Sequence, residues 1–336
     1  MQKQPSQHRL QQLLGPSAKH PIVVPPMANA SNAALVLAAA RAGCLAFLAA
    51  GYASVAQLCT EINDLISLSK SESLSPSDSG CAVGIPLLWG VGFLTWRLDQ
   101  SDEGDTLLSE VTPITCFKLK SYQSFDRVKI FLQVQTVSEA IKYADLADVI
   151  VIQGREAGGH GVGDTGSTFT MLPEVVAAVQ KKAIILAAGG IVTGGQAAAA
   201  ILLGADGVVM GTRFVASNES AFHPIAKRRI LAAKEGGNST IRTRIYNTLR
   251  AQDWPQRYDF RILANSATNA FVENPQSLQT SLLAQFNAAS NSTEKQDSDF
   301  DMIAIACGEG VGLINDISSV EKIVAKVVSD LETFGM

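Results

Sequence analysis

Eight short runs, apolar almost throughout, are spaced along the chain before residue 212: Ile22–Pro25, Leu45–Leu48, Ala82–Ile85, Ile114–Phe117, Ile130–Val134, Val149–Ile152, Ile184–Ala187 and Gly207–Met210. A strand with one wet face alternates apolar and polar residues. A run without alternation is a strand covered on both faces, as in a parallel sheet. Ala-rich or amphipathic stretches separate the runs, among them Asn32–Ala42, Val55–Leu68, Thr136–Ala144, Leu172–Gln180 and Gly194–Leu203. Alternating strands and helices give a parallel α/β fold, and eight repeats predict a (β/α)8 TIM barrel in preference to an open doubly wound sheet.

More than a third of the 336 residues follows the eighth run. Residues 219–301 are predicted to form a small helical domain lying as a substrate lid over the barrel mouth. Its expected helices are Ala226–Lys234, Arg242–Leu249 and Leu278–Ala289. Arg228, Arg229, Arg242, Arg244 and Arg250 are expected on its solvated face. Residues 1–218, with 302–336 returning through a last helix at Ser319–Leu331, make up the barrel. Ser67–Gly80 and Asn291–Asp301, rich in Ser, Asp and Glu, are predicted surface loops.

Composition narrows the class of function. Apolar residues make up 47% and charged ones 17%, which suits a chain with a large buried core. A net charge of −4 without Lys/Arg clusters argues against a nucleic-acid or anionic-membrane surface. Met1–Leu14 has no apolar core of a secretory signal, and no window reaches the ~18 apolar residues of a spanning helix. Thr333–Met336 is not a peroxisomal address. Cysteines at 44, 59, 81, 116 and 307 have no CxxC spacing, as expected of reduced thiols. A cytoplasmic enzyme, monomeric or homodimeric and acting on a small molecule, is the expectation. No His/Cys/carboxylate set has metal-ligand spacing, so no metal is expected.

In such a barrel the site is built from loops after the C-terminal strand ends. Three of those loops are glycine-rich: Gln153–Gly163, Ala188–Ile191 with Thr193–Gly195, and Met210–Phe214. One Gly-Gly pair is explained by a tight turn. Gly189-Gly190 together with Gly211-Thr212 points instead to a phosphate-bearing cofactor, because glycine lets backbone N–H groups approach an anion at a helix start. His160 stands inside the first of these loops, where an imidazole that titrates near neutral pH serves as acid or base. The competing reading is a turn cap or a cofactor contact without chemistry. No GxSxG elbow is apparent, and Gly158-Gly159-His160-Gly161 is not a GxGxxG strand-to-helix turn with an acid some 20 residues on, so a Rossmann reading is poor.

These segments resemble the nitronate monooxygenase family, formerly called 2-nitropropane dioxygenases, which are FMN-dependent barrel enzymes. The matching pieces are Pro25-Pro26-Met27-Ala28, Ala42-Gly43-Cys44-Leu45 with Gly51-Tyr52, Gln153 to His160, Ala187 to Ile191, Gly204 to Gly207, Gly211 to Phe214 and Gly308 to Gly312. They run in order over residues 20 to 330. The resemblance implies FMN over the barrel mouth, its phosphate against Gly189, Gly190, Gly211 and Thr212. The ring would lie near Pro26, Met27 and Ala28, lined by Gln153 and Gly158. It implies His160 as the base that draws the α-proton from a neutral nitroalkane. Alkyl nitronates such as propionate 3-nitronate would be oxidised by flavin and O2 to carbonyl compounds and nitrite.

The chain departs from the family pattern in two places. Relatives carry a Gly-x-Asn element after the third strand, where this chain has Gly84-Ile85-Pro86 followed by Leu87 to Gly90. Proline offers neither a side-chain amide nor a backbone donor. Trp89, Phe93 and Trp96 make this loop aromatic, facing ring or substrate or packing beneath the lid. Cys116-Phe117-Lys118 replaces an aromatic-Gly element after strand four. Two alternatives therefore stand beside nitronate oxidation: an NAD(P)H-dependent flavin reductase of quinones or enoyl compounds, and a flavin enzyme repurposed for natural-product biosynthesis.

Overall fold

The computed structural model describes residues 7–71, 88–94, 129–273 and 279–336. Strands β1 (Ile22–Val24), β2 (Leu45–Ala49), β3 (Trp89–Gly92), β4 (Phe131–Val134), β5 (Val149–Gln153), β6 (Gly159–Val162), β7 (Ile184–Ala188) and β8 (Gly207–Val209) come first in the chain. All but β6 form one parallel sheet in the order β3-β2-β1-β8-β7-β5-β4. The last strand, β8, pairs with the first, β1, in register Ile22↔Val208 and Val23↔Val209. That return of the final strand to the first makes this the (β/α)8 TIM-barrel class. The expected strands Ala82–Ile85 and Ile114–Phe117 lie outside the described residues. Trp89–Gly92 is a strand that sequence reading did not foresee, because its two glycines carry low strand propensity. Gly90 is required there: a Cβ would lie 2.5 Å from the Phe47 ring.

Alternation inside the continuously apolar runs sorts side chains to two cores. Val23, Leu45, Val149, Val151, Ile184, Leu186 and Val209 fill the barrel interior. Their neighbours Ile22, Val24, Ala46, Ile150, Ile152, Ile185 and Val208 face the surrounding helices. Helix α1 (Gln7–Leu14) stops the interior with Leu10 and Leu14, and Arg9 bonds Asp206 at 2.8 Å. The outer layer contains α2 (Ala33–Arg41), α3 (Val55–Ser71), α4 (Val137–Tyr143), α5 (Thr168–Val179) and α6 (Gly194–Leu202). Asn32, Thr136, Ser167 and Thr193 cap four of these with side-chain oxygens.

After β8 come α7 (Thr212–Val215), α8 (Pro224–Ala232), α9 (Gly236–Ser239), β9 (Thr240–Thr243), α10 (Ile245–Leu249), β10 (Tyr258–Leu263), α11 (Ser266–Glu273), α12 (Gln279–Asn291) and α13 (Val320–Thr333). The segment expected to be helical thus contains two strands as well. β10 is the centre of an antiparallel sheet, β6-β10-β9. The expected helix Arg242–Leu249 is strand in its first residues and α10 in its last. The overlooked signal is the period-two alternation of Tyr258, Phe260 and Ile262. Asn291–Asp301 is not a loose loop. Arg229 binds Asp297 at 2.7 Å and Asp301 at 2.9 Å, and Phe300 is buried. Of Ser67–Gly80, residues 67–71 end α3, and the remainder lies outside the described residues. Helix α13 packs on α2 and α6 through Val320, Val324, Val327 and Leu331.

Candidate functional site

Because the strands of the main sheet are parallel, the loops after them share one end of the barrel. Gln153, the last residue of β5, is level with Ala188 of β7, directly before Gly189. Its Oε1 accepts from Gln133 Nε2 at 3.2 Å and from Gln135 Nε2. After β1, Ser31 Oγ accepts from Met27 N–H and donates to Pro25 O, which fixes the turn and leaves Pro26 and Ala28 exposed. Pro26 packs on Gly92 so closely that a Cβ there would sit 2.2 Å from its ring. A Cβ on Gly211 would lie 3.7 Å from Met27 Sδ. The β1, β3, β5, β7 and β8 ends therefore meet around one mouth.

Two of these loops present a candidate anion cradle. Gly189 and Gly190 have φ of 115° and 72°, the left-handed region that a Cβ disfavours. A Cβ on Gly189 would also approach Thr168 Oγ1 to 2.7 Å. The backbone N–H groups of Gly189, Gly190, Gly211 and Thr212 donate to no described residue. Four such donors in neighbouring loops suit a phosphate, so the residues present fit the phosphate end of FMN. Thr212 Oγ1 accepts from Gly308 N–H at 2.9 Å, and Glu156 O accepts from Glu309 N–H at 2.9 Å. The Gly308–Gly312 segment is thereby clasped onto the mouth. Gly158 is pressed against it: a Cβ would lie 2.4 Å from the carbonyl carbon of Cys307.

His160 is not in a loop but on β6, opposite Phe260 of β10. Its ring is clasped between Trp254, at 3.8 Å and 6° between planes, and Phe260, at 4.4 Å and 14°. Nε2 donates to Asn247 Oδ1 at 2.7 Å, so in this arrangement the proton is on Nε2 and the lone pair on Nδ1. With both faces covered, proton exchange is confined to the Nδ1 edge, which bonds no described residue. Burial pushes the imidazole down to about 4, with Arg250, Arg242 and Arg244 lowering it further and Asn247 opposing them. At neutral pH the ring is an unprotonated acceptor. Asn247 is 5% exposed and comes from α10, and its Nδ2 has no partner among the described residues. Tyr52, after β2, accepts from Trp254 Nε1 at 2.9 Å and ties the second sheet to the barrel mouth.

Of the arginines expected on a solvated face Arg228 is exposed, whereas Arg242, Arg244 and Arg250 are half-buried and partnered within the second sheet and its helix. Arg242 is ion-paired with Asp259 and donates to Arg155 O at 2.9 Å. Arg244 donates to the carbonyls of Pro255, Gln256 and Trp254. Arg250 lies over the rings of Tyr246 and Phe260. Sequence reading missed these residues, and also Asn247, Trp254, Phe260 and Arg261, because nothing local marks them. The buried Arg261 binds Glu309 at 2.7 Å and Arg155 O at 3.1 Å beneath the same sheet. Trp89 and Phe93 pack against the helix-facing core. Pro86, Trp96 and Cys116–Lys118 lie outside the described residues. Burial pushes the Cys44 and Cys307 thiols up to about 12, so neither is a poised nucleophile. Among the described residues no cluster could hold a metal ion, and no helix is long and apolar enough to cross a membrane.

Comparison with known proteins gives a consistent pattern. Residues 115–330 match the family model for nitronate monooxygenase. The chain is 35% identical over 277 residues to nitronate monooxygenase npaC of Metarhizium robertsii, covering 74% of each chain. Among solved structures it resembles FabK from Thermotoga maritima, at 25% identity and a TM-score of 0.72 over 97% of this chain and 96% of that one. It also resembles the nitroalkane oxidase of Streptomyces ansochromogenes, at 23% identity and a TM-score of 0.70 over 97% and 98%.

Proposed function

The chain belongs to the nitronate monooxygenase family, a family of flavin-dependent oxidoreductases, and from that premise we propose that it oxidises alkyl nitronates with O2 to a carbonyl compound and nitrite. FMN is the proposed flavin, and His160 the proposed base that accepts the α-proton of a neutral nitroalkane. The observation that carries this reading is the state of His160, an unprotonated imidazole with its lone pair on Nδ1; the glycine loops after β7 and β8 add four N–H donors that bond no described residue.

The phosphate of FMN would be held by Gly189, Gly190, Gly211 and Thr212, with Pro26, Met27, Ala28, Gln153 and Gly158 around the ring. When bound, FMN supplies the electron transfer that amino-acid side chains cannot. The protein's share is binding, orientation and the proton. Trp254 and Phe260 fix the plane of the imidazole. Asn247 fixes its tautomer, so that the acceptor nitrogen is defined before substrate arrives. The surrounding arginines disfavour the imidazolium while favouring the anionic nitronate once it forms.

Oxygen uptake and nitrite release with propionate 3-nitronate test the reaction directly. Each nitronate takes up one oxygen atom, so two nitrites and two carbonyl products form per O2. Neither O2 uptake nor nitrite with any alkyl nitronate would overturn the reading.

A further inference from the structure

Three arginines lower the pKa of His160, and two of them are already neutralised or saturated. Arg242 has Asp259 as its counter-ion and Arg155 O as a second acceptor. Arg244 spends its guanidinium on a ring of backbone carbonyls. Arg250 differs. No carboxylate or carbonyl among the described residues accepts from its guanidinium. What it has are ring faces: its Cζ is 5.5 Å from the centroid of Tyr246 and 5.3 Å from that of Phe260. Cation–π contact offsets part of the cost of withdrawing a guanidinium from water but gives its N–H groups no acceptor. Burial accordingly lowers its pKa from the usual arginine range.

The position of this cation matters. Arg250 ends α10, the helix that carries Asn247, three residues earlier on the same turn. Phe260, the ring beneath Arg250, is also the ring that stacks on His160. Tyr52 of the barrel mouth acts on Arg250 electrostatically. The cation therefore belongs to the seam between barrel and second sheet, and Phe260 contacts both it and the imidazole.

We propose that Arg250 receives an anionic oxygen pair of the substrate, and that the site therefore selects substrates able to present such a pair beside His160. A guanidinium presents two parallel N–H groups that match a planar pair of oxygens. Two groups carry that chemistry: the nitronate itself, and a carboxylate elsewhere on the substrate. The proposal rests on reading this site as a nitronate pocket, so its test includes a measurement without turnover.

FMN-loaded wild type, Arg250→Met and Arg250→Lys are compared on propyl-1-nitronate, which has one anionic group, and on propionate 3-nitronate, which has two. Arg250→Met is expected to raise KM roughly 10- to 100-fold, the worth of one hydrogen bond to a charged group. Arg250→Lys is expected to recover part of that loss. A rise on both substrates assigns Arg250 to the nitronate oxygens. A rise on propionate 3-nitronate alone assigns it to the second carboxylate. Unchanged KM on both would overturn the proposal. Calorimetric titration with succinate, an unreactive dicarboxylate, separates the two readings. Binding lost in Arg250→Met without any nitronate turnover by wild type keeps the anion site and sinks the oxidation reading. Equal succinate binding by wild type and both variants overturns the anion site.

Discussion

At the scale of single residues, His160 and Asn247 form one unit. Replacing His160 by Asn leaves the glycine cradle intact, so FMN binding should persist. Activity on neutral nitroalkanes should fall about 100- to 10,000-fold, the usual worth of a positioned base, while preformed nitronates lose far less. Equal losses on both substrate forms would exclude a role in α-proton removal. His160 also ties stability to pH. Its folded pKa, about 4, is below the unfolded value of 6.5, so between these values the unfolded chain binds more protons and stability falls as pH falls. Wild type should therefore lose up to about 3 kcal/mol more than His160→Asn between pH 7 and pH 4, measured by denaturant unfolding. Asn247→Leu strands the Nε2–H of His160 but removes the already orphaned Nδ2. Its stability should change by less than about 1 kcal/mol, since one unsatisfied group replaces another. Its activity on nitroalkanes should drop because the tautomer is no longer held. His160 was legible in sequence as the one imidazole in a glycine-rich strand-end segment. Asn247, Trp254 and Phe260 were not, because they reach it from 87 to 100 residues away.

Elements divide by where their partners lie. β1, β2, β5, β7 and β8 were legible because burial on both faces makes a strand apolar throughout, whichever strands flank it. β6 was not. Gly159-His160-Gly161-Val162 has low strand propensity, and it becomes a strand only through β10. The Arg242 end of β9 has a helical sequence pattern and was illegible as strand for the same reason. Its strand state is set by β10, not by its own residues. The anion cradle depends on the β7 loop, so Gly189→Ala should weaken FMN retention and lower stability by about 1–3 kcal/mol. The added methyl must tolerate a φ of 115° and a contact of 2.7 Å to Thr168 Oγ1. The opposite end of the barrel makes a contrast. Leu10→Ala empties part of the interior that α1 closes and should cost about 2–5 kcal/mol in thermal or denaturant unfolding while leaving KM unchanged. A raised KM in that variant would contradict the separation of stopper from mouth.

Across the whole molecule, fold class and family were both legible because they rest on order along the chain: strand, helix and glycine loop repeated until the last strand meets the first. The composition of the cap was less legible. Its sheet takes one strand from the β5–β7 connection and two from the segment after the barrel, so no contiguous stretch encodes it. In that assembly His160, on the borrowed strand β6, stacks on Trp254, whose Nε1 donates to Tyr52 of the barrel mouth. Nitronate oxidation at this site requires that a nitronate alone reduce the proposed flavin. The decisive measurement is an anaerobic visible spectrum of the FMN-loaded protein, first with propionate 3-nitronate and then with NADPH. Loss of the flavin band on the nitronate alone is the expected result. A band untouched by nitronate but lost on NADPH, or a protein that takes up no FMN, would contradict it.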